Sequence, residues 1–206
     1  VYLPWPTPIL LADLITEKFC IPTIITNDAN AAAIGEMTYG AARGLKDFIM
    51  ITLGTGVGSG IVINGQMVYG CGRTGCLEAY CSATGVARTA REFLEIRNDP
   101  STLRNIPVDE ITSKDVYDAA ITGDKIAKDI FEYTGEILGQ ALADFASFSS
   151  PEAFVLFGGL TKAGDLIMKP VKESLDKNIL GCYRGKVKLL VSELKESDAA
   201  ILGASA

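Results

Sequence analysis

The chain has 206 residues, 48% of them hydrophobic and 21% charged, with a formal net charge of −6. This balance is typical of a soluble globular protein, and the length is sufficient for a substantial core. The 19 basic residues form no cluster, which argues against a dedicated nucleic-acid surface, and no apolar run is long enough to span a membrane. Histidine is absent, so imidazole is excluded both as a metal ligand and as a general base.

The start of the chain and the cysteines indicate the compartment. The first residues have neither the basic region nor the cleavage pattern of a signal peptide. Five cysteines, an odd number, fit a reducing cytoplasm better than a disulfide scaffold. The lack of an initiating Met suggests that the sequence begins inside a larger protein. We therefore expect a cytoplasmic protein with no membrane-spanning segment.

Hydrophobic periodicity predicts alternating helices and strands, and therefore an α/β fold. Helices are predicted at about 9–19, 29–39, 84–96, 113–122, 124–148 and 164–178, and from Ala199 onward. Strands are predicted at 21–25, 153–157 and 187–192, and a hairpin between Phe48 and Tyr69. Ser113 is the expected N-cap of its helix, and the polar segment 98–107 is expected to be a mobile loop.

The glycine-rich turn of the hairpin, Gly54–Gly60, points most directly to function. Glycines let backbone N–H groups approach an anion closely, and Thr55 and Ser59 add hydroxyl donors. The P-loop sequence and the dinucleotide glycine spacing are both absent, and no helix follows directly to contribute its dipole. Asn64-Gly65 then predicts a second tight turn. From this segment alone, a phosphate-binding hairpin and a purely structural one are both compatible with the sequence.

A second candidate is Asn27-Asp28, at the predicted junction of a strand and a helix. The N-terminus of a helix keeps a carboxylate ionised and offers it backbone N–H groups. Asp28 is therefore either a plain helix cap or a base that orients a substrate hydroxyl toward a phosphoryl group. Its position upstream of a phosphate-type hairpin favours the base.

The cysteine-rich segment indicates half of a metal site. Cys71 and Cys76 flank a glycine-containing turn, as in structural zinc knuckles, but a closed site needs further ligands. Cys81 is expected to be a core thiol. Leu77-Glu78 comes directly after Cys76, and Glu78 is either an acceptor for sugar hydroxyls or a surface glutamate.

Gly158-Gly159 lies where a predicted strand ends and a helix follows. Glycines at such a position allow a flat ring or a phosphate to lie against the backbone. An ordinary strand-to-helix turn is equally compatible with the pair.

Taken in order, these motifs resemble the ROK family, which groups bacterial sugar kinases and sugar-responsive repressors. The matching segments are 27–33, 53–60, 71–78, 158–159 and 198–204. Sugar kinases of the actin and hexokinase type hold ATP with a phosphate-binding hairpin between antiparallel strands. The resemblance implies an actin-like ATPase fold, ribonuclease H-like and of hexokinase type, with two lobes. Residues 1–40 are then a remnant of the small N-terminal lobe, to which a closing helix at 197–206 returns, and 41–196 are the large lobe.

The resemblance also implies a role for each matched residue. Asp28 is the implied catalytic base, and Asn27, Asp28 and Glu78 are the implied sugar ligands. The implied ATP-binding residues are Gly54, Thr55, Gly56, Gly158 and Gly159. Cys71 and Cys76 are the implied ligands of a structural Zn²⁺, with Mg²⁺ accompanying ATP. A homodimer is implied as the assembly.

Two family features are missing from this sequence. One is an Asp-x-Gly-Gly-Thr phosphate loop, and the other is a Gly-Glu-x-Gly-His stretch, since Gly70 directly precedes Cys71. We expect the natural protein to contain both, because the remaining motifs would otherwise lack a purpose.

The expected function is ATP-dependent phosphorylation of a hexose, glucose to glucose 6-phosphate. The alternative is the sugar-sensing core of a repressor, which would bind nucleic acid through a helix-turn-helix module before Val1. Retention of Asp28 and of an intact Gly54–Gly60 turn favours the kinase.

Overall fold

A computed structural model of the chain describes residues 10–23, 25–26, 28–63, 65–68, 77–194 and 198–205. The predictions that concern Asn27, Asn64, Cys71 and Cys76 lie outside the described residues.

Helices and strands alternate along the described chain, as the periodicity predicts. The helices are α1 (Leu11–Phe19), α2 (Asp28–Tyr39), α3 (Glu78–Cys81), α4 (Ala83–Ile96), α5 (Ser113–Ile121), α6 (Lys125–Ser149), α7 (Asp165–Asn178) and α8 (Ala199–Ser205). The strands are β1 (Phe48–Leu53), β2 (Val57–Ile63), β3 (Gln66–Val68), β4 (Ala153–Phe157) and β5 (Lys188–Val191). Short 3-10 helices cover Thr102–Asn105, Val108–Glu110 and Gly159–Ala163.

The strands form one mixed sheet in the order β3-β2-β1-β4-β5. β1, β2 and β3 pair antiparallel, which confirms the predicted hairpin, while β4 and β5 run parallel to β1. Leu53 pairs with Val57, so the tight turn between them consists of residues 54–56. Thr52 pairs with Phe157, so the glycines that follow β1 and β4 meet at one edge of the sheet.

Alternate residues of β1 face two separate cores, as the two-residue period of a strand requires. Ile49, Ile51 and Leu53 pack into a large cluster with residues of α4, α5, α6 and α7. Phe48 and Met50 face the opposite cluster, which contains residues of α2 and α8. The sheet is therefore the middle layer of a three-layer α/β/α arrangement.

Small residues bring α2 close to β2. A Cβ added to Gly60 would lie 2.4 Å from the Ala33 Cβ, and one added to Gly58 would lie 3.1 Å from the Ala29 Cβ. A side chain at either glycine would push the helix away from the sheet. Two glycines of the predicted phosphate motif therefore serve helix packing, and this packing fixes the start of α2, at Asp28, relative to the hairpin.

The predicted strand at 21–25 is wrong. None of its described residues lies in a strand, and Ile21 and Ile25 are 62% and 55% exposed. Thr23 instead donates its backbone N–H to the Thr16 Oγ1 in α1 (3.1 Å). β-branched residues favour a strand only where a neighbouring strand can pair with them. The described chain places no strand beside this segment.

Two details of the helical region also differ from the prediction. Thr112, not Ser113, caps α5, and it forms a capping box in which Thr112 and Asp115 bond each other's backbone N–H groups. The segment expected to be a mobile loop contains the first 3-10 helix, in which Leu103 is 1% exposed. A single buried leucine within a polar stretch is too weak a pattern to reveal this helix.

No helix among the described residues is both long and apolar enough to span a membrane. The division into lobes at residues 1–40 and 41–196 remains a prediction.

Candidate active site

The turn after β1 is stabilised by its own backbone and by the neighbouring strand. The Gly54 N–H donates to the Gly56 carbonyl (3.0 Å), and the Gly58 N–H donates to the Thr52 Oγ1 (2.8 Å). A Cβ added to Gly54 would have no atom within 4 Å, so the space beside this residue is open. Ser59, proposed as a donor in this turn, lies within β2 and pairs with Ile51.

The N-terminus of α4 lies against the same turn. Ser82 caps the helix by accepting the Gly85 N–H (2.9 Å), and the Ala83 N–H donates to the Gly54 carbonyl (2.8 Å). The Thr84 hydroxyl donates to the Thr55 carbonyl. No helix follows the turn directly, as predicted, but the N-terminus of α4 lies beside it in the fold. The positive end of α4 favours an anion at this turn.

Glu78 also lies beside the turn. A Cβ added to Gly56 would lie 2.7 Å from the Glu78 Oε1, so the carboxylate occupies the space that the glycine leaves. Glu78 is exposed and begins the short helix α3. The structure therefore places the predicted sugar ligand next to the predicted phosphate turn.

Gly158 places the second glycine pair at the same edge. Its φ of +111° is one that side chains rarely allow, and a Cβ there would lie 2.8 Å from the Leu53 carbonyl oxygen. The close approach draws the end of β4 against the end of β1. Gly159 then begins the 3-10 helix that leads toward α7.

A cavity of about 500 Å³ opens between these elements. Gly54, Thr55 and Gly159, all three predicted as ATP-binding residues, lie in its wall. Its other lining residues come from β1, α4, α5, α6 and the last 3-10 helix: Leu53, Ala83, Ser113, Lys114, Tyr117, Phe131, Leu160, Lys162 and Ala163. This size is typical of small-molecule sites.

Asp28 is the first residue of α2 and is exposed. Its Oδ1 accepts the Ala29 N–H (2.8 Å), which keeps the carboxylate at the positive end of the helix. Ala29 itself lies over Gly58 and Gly60 of β2. Asp28 thus begins the helix that packs against β2, the strand that leaves the glycine turn.

Cys81 is a core thiol, as predicted. It is fully buried, its Sγ lies 3.7 Å from the Thr134 carbonyl oxygen, and burial raises its pKa to about 12. A thiol that stays protonated is a poor zinc ligand. Within the described ranges, no three His, Cys, Asp or Glu side chains are grouped so that they could hold a metal ion.

Sequence reasoning missed the far wall of the cavity. Lys114 and Tyr117 of α5, Phe131 of α6, and Lys162 of the last 3-10 helix all lie far from the glycine turn in sequence. Only the fold brings them to the turn. The cap at Ser82-Ala83-Thr84 was the one readable signal of a helix N-terminus near this site.

Comparisons with known proteins identify the family. The sequence matches the ROK family over residues 3–70 and 67–206. A glucokinase of Halalkalibacterium halodurans is 37% identical over 216 residues, covering 94% of this chain and 65% of the relative. The crystal structure of a ROK family glucokinase from Streptomyces griseus in complex with glucose and AMPPNP has a TM-score of 0.78 and 32% identity. That match covers 94% of this chain and 70% of the other.

A repressor is also similar. The DNA-binding transcriptional dual regulator NagC of Escherichia coli K12 is 24% identical over 210 residues, covering 92% of this chain and 51% of the relative. The chain thus spans about two thirds of the H. halodurans glucokinase and half of the repressor. The likeness to the S. griseus enzyme confirms the predicted actin-like ATPase fold. The chain belongs to the ROK family.

Proposed function

We propose that this protein is a sugar kinase that transfers a phosphoryl group from ATP to a hexose, with glucose as the preferred sugar. The observation that carries the proposal is the cavity in which Gly54, Thr55 and Gly159 meet. The glucokinase relatives support the same chemistry. Glucose is preferred because it is the sugar of those relatives.

The cavity has suitable groups for each part of a nucleotide. Tyr117 and Phe131 provide an apolar wall for a base, while Lys114 and Lys162 supply positive charge. The open space at Gly54 would admit the phosphates, and the positive end of α4 lies beside it. Mg²⁺, when bound to the phosphates, would neutralise the charge that develops during transfer.

Residues near the turn would bind the sugar and accept its proton. Glu78, in contact with Gly56, would accept hydrogen bonds from sugar hydroxyls. Asp28 would accept the proton of the hydroxyl that attacks the γ-phosphate, and Asn27 would help to orient the sugar. Phosphoryl transfer gains most from such positioning and charge stabilisation, so the alignment of α2 with the turn is the central requirement.

Three further predictions follow from the family resemblance. A structural Zn²⁺ would be held by Cys71 and Cys76 with ligands that this sequence lacks. Two chains would form a homodimer, and the protein would act in the cytoplasm. Metal analysis of the complete gene product, expected to give about one zinc per chain, tests the first of these.

The second candidate is a sugar-sensing repressor core, favoured by the similarity to NagC. A sensor needs a sugar site but no phosphate-binding turn. The turn at Gly54–Gly56 and the cavity beside it therefore favour the kinase.

A coupled assay of ADP formation distinguishes the two. The complete gene product is tested with glucose, mannose, fructose and amino sugars, and sugar binding is measured separately by calorimetry. The kinase proposal expects turnover with glucose at the highest kcat/KM. Sugar binding without any ATP turnover would overturn it in favour of the sensor.

A further inference from the structure

We propose that Glu36 is a positioning residue, which joins the two segments that connect α2 and α8 to the sheet. By fixing these segments it would hold α2, and with it Asp28, in register with the glycine turn. This inference rests on the proposed kinase function, because the reaction is what the alignment serves.

Glu36 is fully buried, at 0% exposure, near the C-terminal end of α2. Its Oε2 accepts the Ala41 N–H (2.8 Å), and its Oε1 accepts the Ser192 hydroxyl. A buried carboxylate is costly unless its oxygens are hydrogen-bonded, and both are. Each oxygen bonds a different segment of the chain.

These two segments are the links between α2 or α8 and the sheet. Residues 40–47 run from the end of α2 to β1, and residues 192–194 follow β5 on the way to α8. Ser192 is held in turn, since its Oγ accepts the Leu194 N–H (3.0 Å). On the surface, Arg43 and Glu193 form an ion pair across the same two segments (3.8 Å). Glu36 is therefore the buried half of a clamp between them.

Gly40 supports the clamp independently. A Cβ added to Gly40 would lie 2.2 Å from the Glu36 Oε2, closer than any real contact. The carboxylate cannot swing aside without losing Ala41 or Ser192. The backbone at Gly40 is not in the left-handed region, so no unusual φ calls for glycine here. The glycine makes room for the carboxylate.

A buried, hydrogen-bonded carboxylate is weak evidence of a contribution to stability, because the cost of its desolvation offsets much of what its hydrogen bonds gain. What it provides is direction, because each hydrogen bond fixes a partner to a fraction of an ångström. Asp28 lies eight residues upstream on the same helix, about 12 Å away along its axis. An error of about 1 Å in the position of a reacting group can cost a hundredfold in rate.

Four variants of the complete gene product test the proposal. Ser192→Ala removes the hydroxyl, Gly40→Ala displaces the carboxylate, and Ser192→Thr keeps the hydroxyl as the conservative rescue. Arg43→Ala is the matched control, because it breaks the tie between the same segments at an exposed site, where side chains are 66% and 62% exposed. Exposed ion pairs contribute little to the stability of a fold.

For Ser192→Ala and Gly40→Ala we expect kcat to fall about 10- to 100-fold. In Gly40→Ala the KM for ATP should stay within about twofold of the parent value, because Gly40 does not line the nucleotide cavity. Ser192 lines a neighbouring cavity with Gly158 and Lys162, so Gly40→Ala is the variant that decides on KM. Ser192→Thr and Arg43→Ala should keep kcat near the parent value. Amide hydrogen exchange at residues 40–47 and 192–194 should be faster in the first two variants only.

The readouts separate the possible failures. If exchange increases in Ser192→Ala but kcat stays within about twofold, the clamp is structural only and the positioning role is overturned. Unchanged exchange in Ser192→Ala overturns the clamp itself. A parent protein that phosphorylates no hexose overturns the proposed function instead, and exchange then still decides whether the clamp exists.

Discussion

Gly56 and Glu78 are in such close contact that a single methyl group on the glycine would lie 2.7 Å from the Glu78 Oε1. Through this contact, the turn proposed to bind phosphate meets the carboxylate proposed to bind the sugar. The two substrates of a kinase must meet at such a junction. A substitution in the turn should therefore also alter sugar binding, and a substitution of Glu78 should also alter ATP binding.

Gly56→Ala should lower the catalytic efficiency with both substrates, ATP and the hexose. The added methyl group must displace the Glu78 carboxylate or the turn, so we expect kcat/KM to fall at least about tenfold for both ATP and hexose. Gly54→Ala differs, because no protein atom lies within 4 Å of its new Cβ. It should raise the KM for ATP while sugar binding is retained. Steady-state kinetics with each substrate varied in turn gives these values.

Gly181→Ala is the matched control for both glycine variants. Gly181 is exposed, its added Cβ also meets no atom within 4 Å, and it lies outside the site. Parent-like ATP kinetics in Gly54→Ala would contradict the phosphate role of the turn.

Asp28→Asn should retain the fold and most of the sugar affinity but lose turnover. The amide can still accept the Ala29 N–H, yet it cannot take a proton. A positioned base contributes roughly 10²- to 10⁴-fold, so kcat should fall by about that factor. Asp165→Asn is the control, because Asp165 is likewise the exposed first residue of a helix, α7. If Asp28→Asn turns over glucose as fast as the parent, Asp28 is not the base.

The sequence predicted the elements that carry their own pattern. β4 was predicted at its observed bounds, and α6 and α7 within one residue, because long periodic stretches and flanking glycines are local signals. The strand at 21–25 could not be judged locally, since a strand depends on a neighbour that pairs with it. Its two described isoleucines, Ile21 and Ile25, are instead exposed.

The site shows the same division. Gly54, Thr55 and Gly159 were singled out from the sequence through the family resemblance, and all three line the cavity. Lys114 and Lys162 were not, since a lysine on a helix surface is usually just solvated. The sequence also showed no sign that part of the glycine motif serves helix packing. Only the packed structure shows that Gly58 and Gly60 make room for α2.

Cys81 should resist modification in the native protein. Burial raises its pKa to about 12, so almost no thiolate exists at neutral pH, whereas Cys20 and Cys182 are exposed. Iodoacetamide at pH 7.5 (about one unit below the usual thiol pKa) should label Cys20 and Cys182 much faster than Cys81. Peptide mapping by mass spectrometry gives the rates, and labelling in denaturant is the control that exposes all three. Equal native rates would contradict the burial of Cys81.

Asp124 should stabilise the fold through hydrogen bonds at the start of α6. Its Oδ1 accepts the Ala127 N–H (3.1 Å) and caps the helix, while its Oδ2 accepts the Thr102 N–H (2.7 Å). Loss of an N-cap costs about 1–2 kcal/mol, so Asp124→Ala should lower the free energy of unfolding by about that amount. Asp144→Ala, in the exposed part of the same helix, should change it by less than about 0.5 kcal/mol.

The stabilisation of the fold by Asp124 should be lost as the pH falls. Burial favours the neutral carboxyl, but hydrogen bonds from Ser101, Ala127 and Thr102 outweigh it and lower the pKa of Asp124 in the folded state. The ionised group therefore contributes its stabilisation above the unfolded pKa of about 3.9, and loses it as the pH falls through the lower folded value. Urea unfolding at several pH values should show the difference between parent and Asp124→Ala shrinking below about pH 4. A difference that stays constant down to pH 2 would mean that the charge of Asp124 plays no part in the cap.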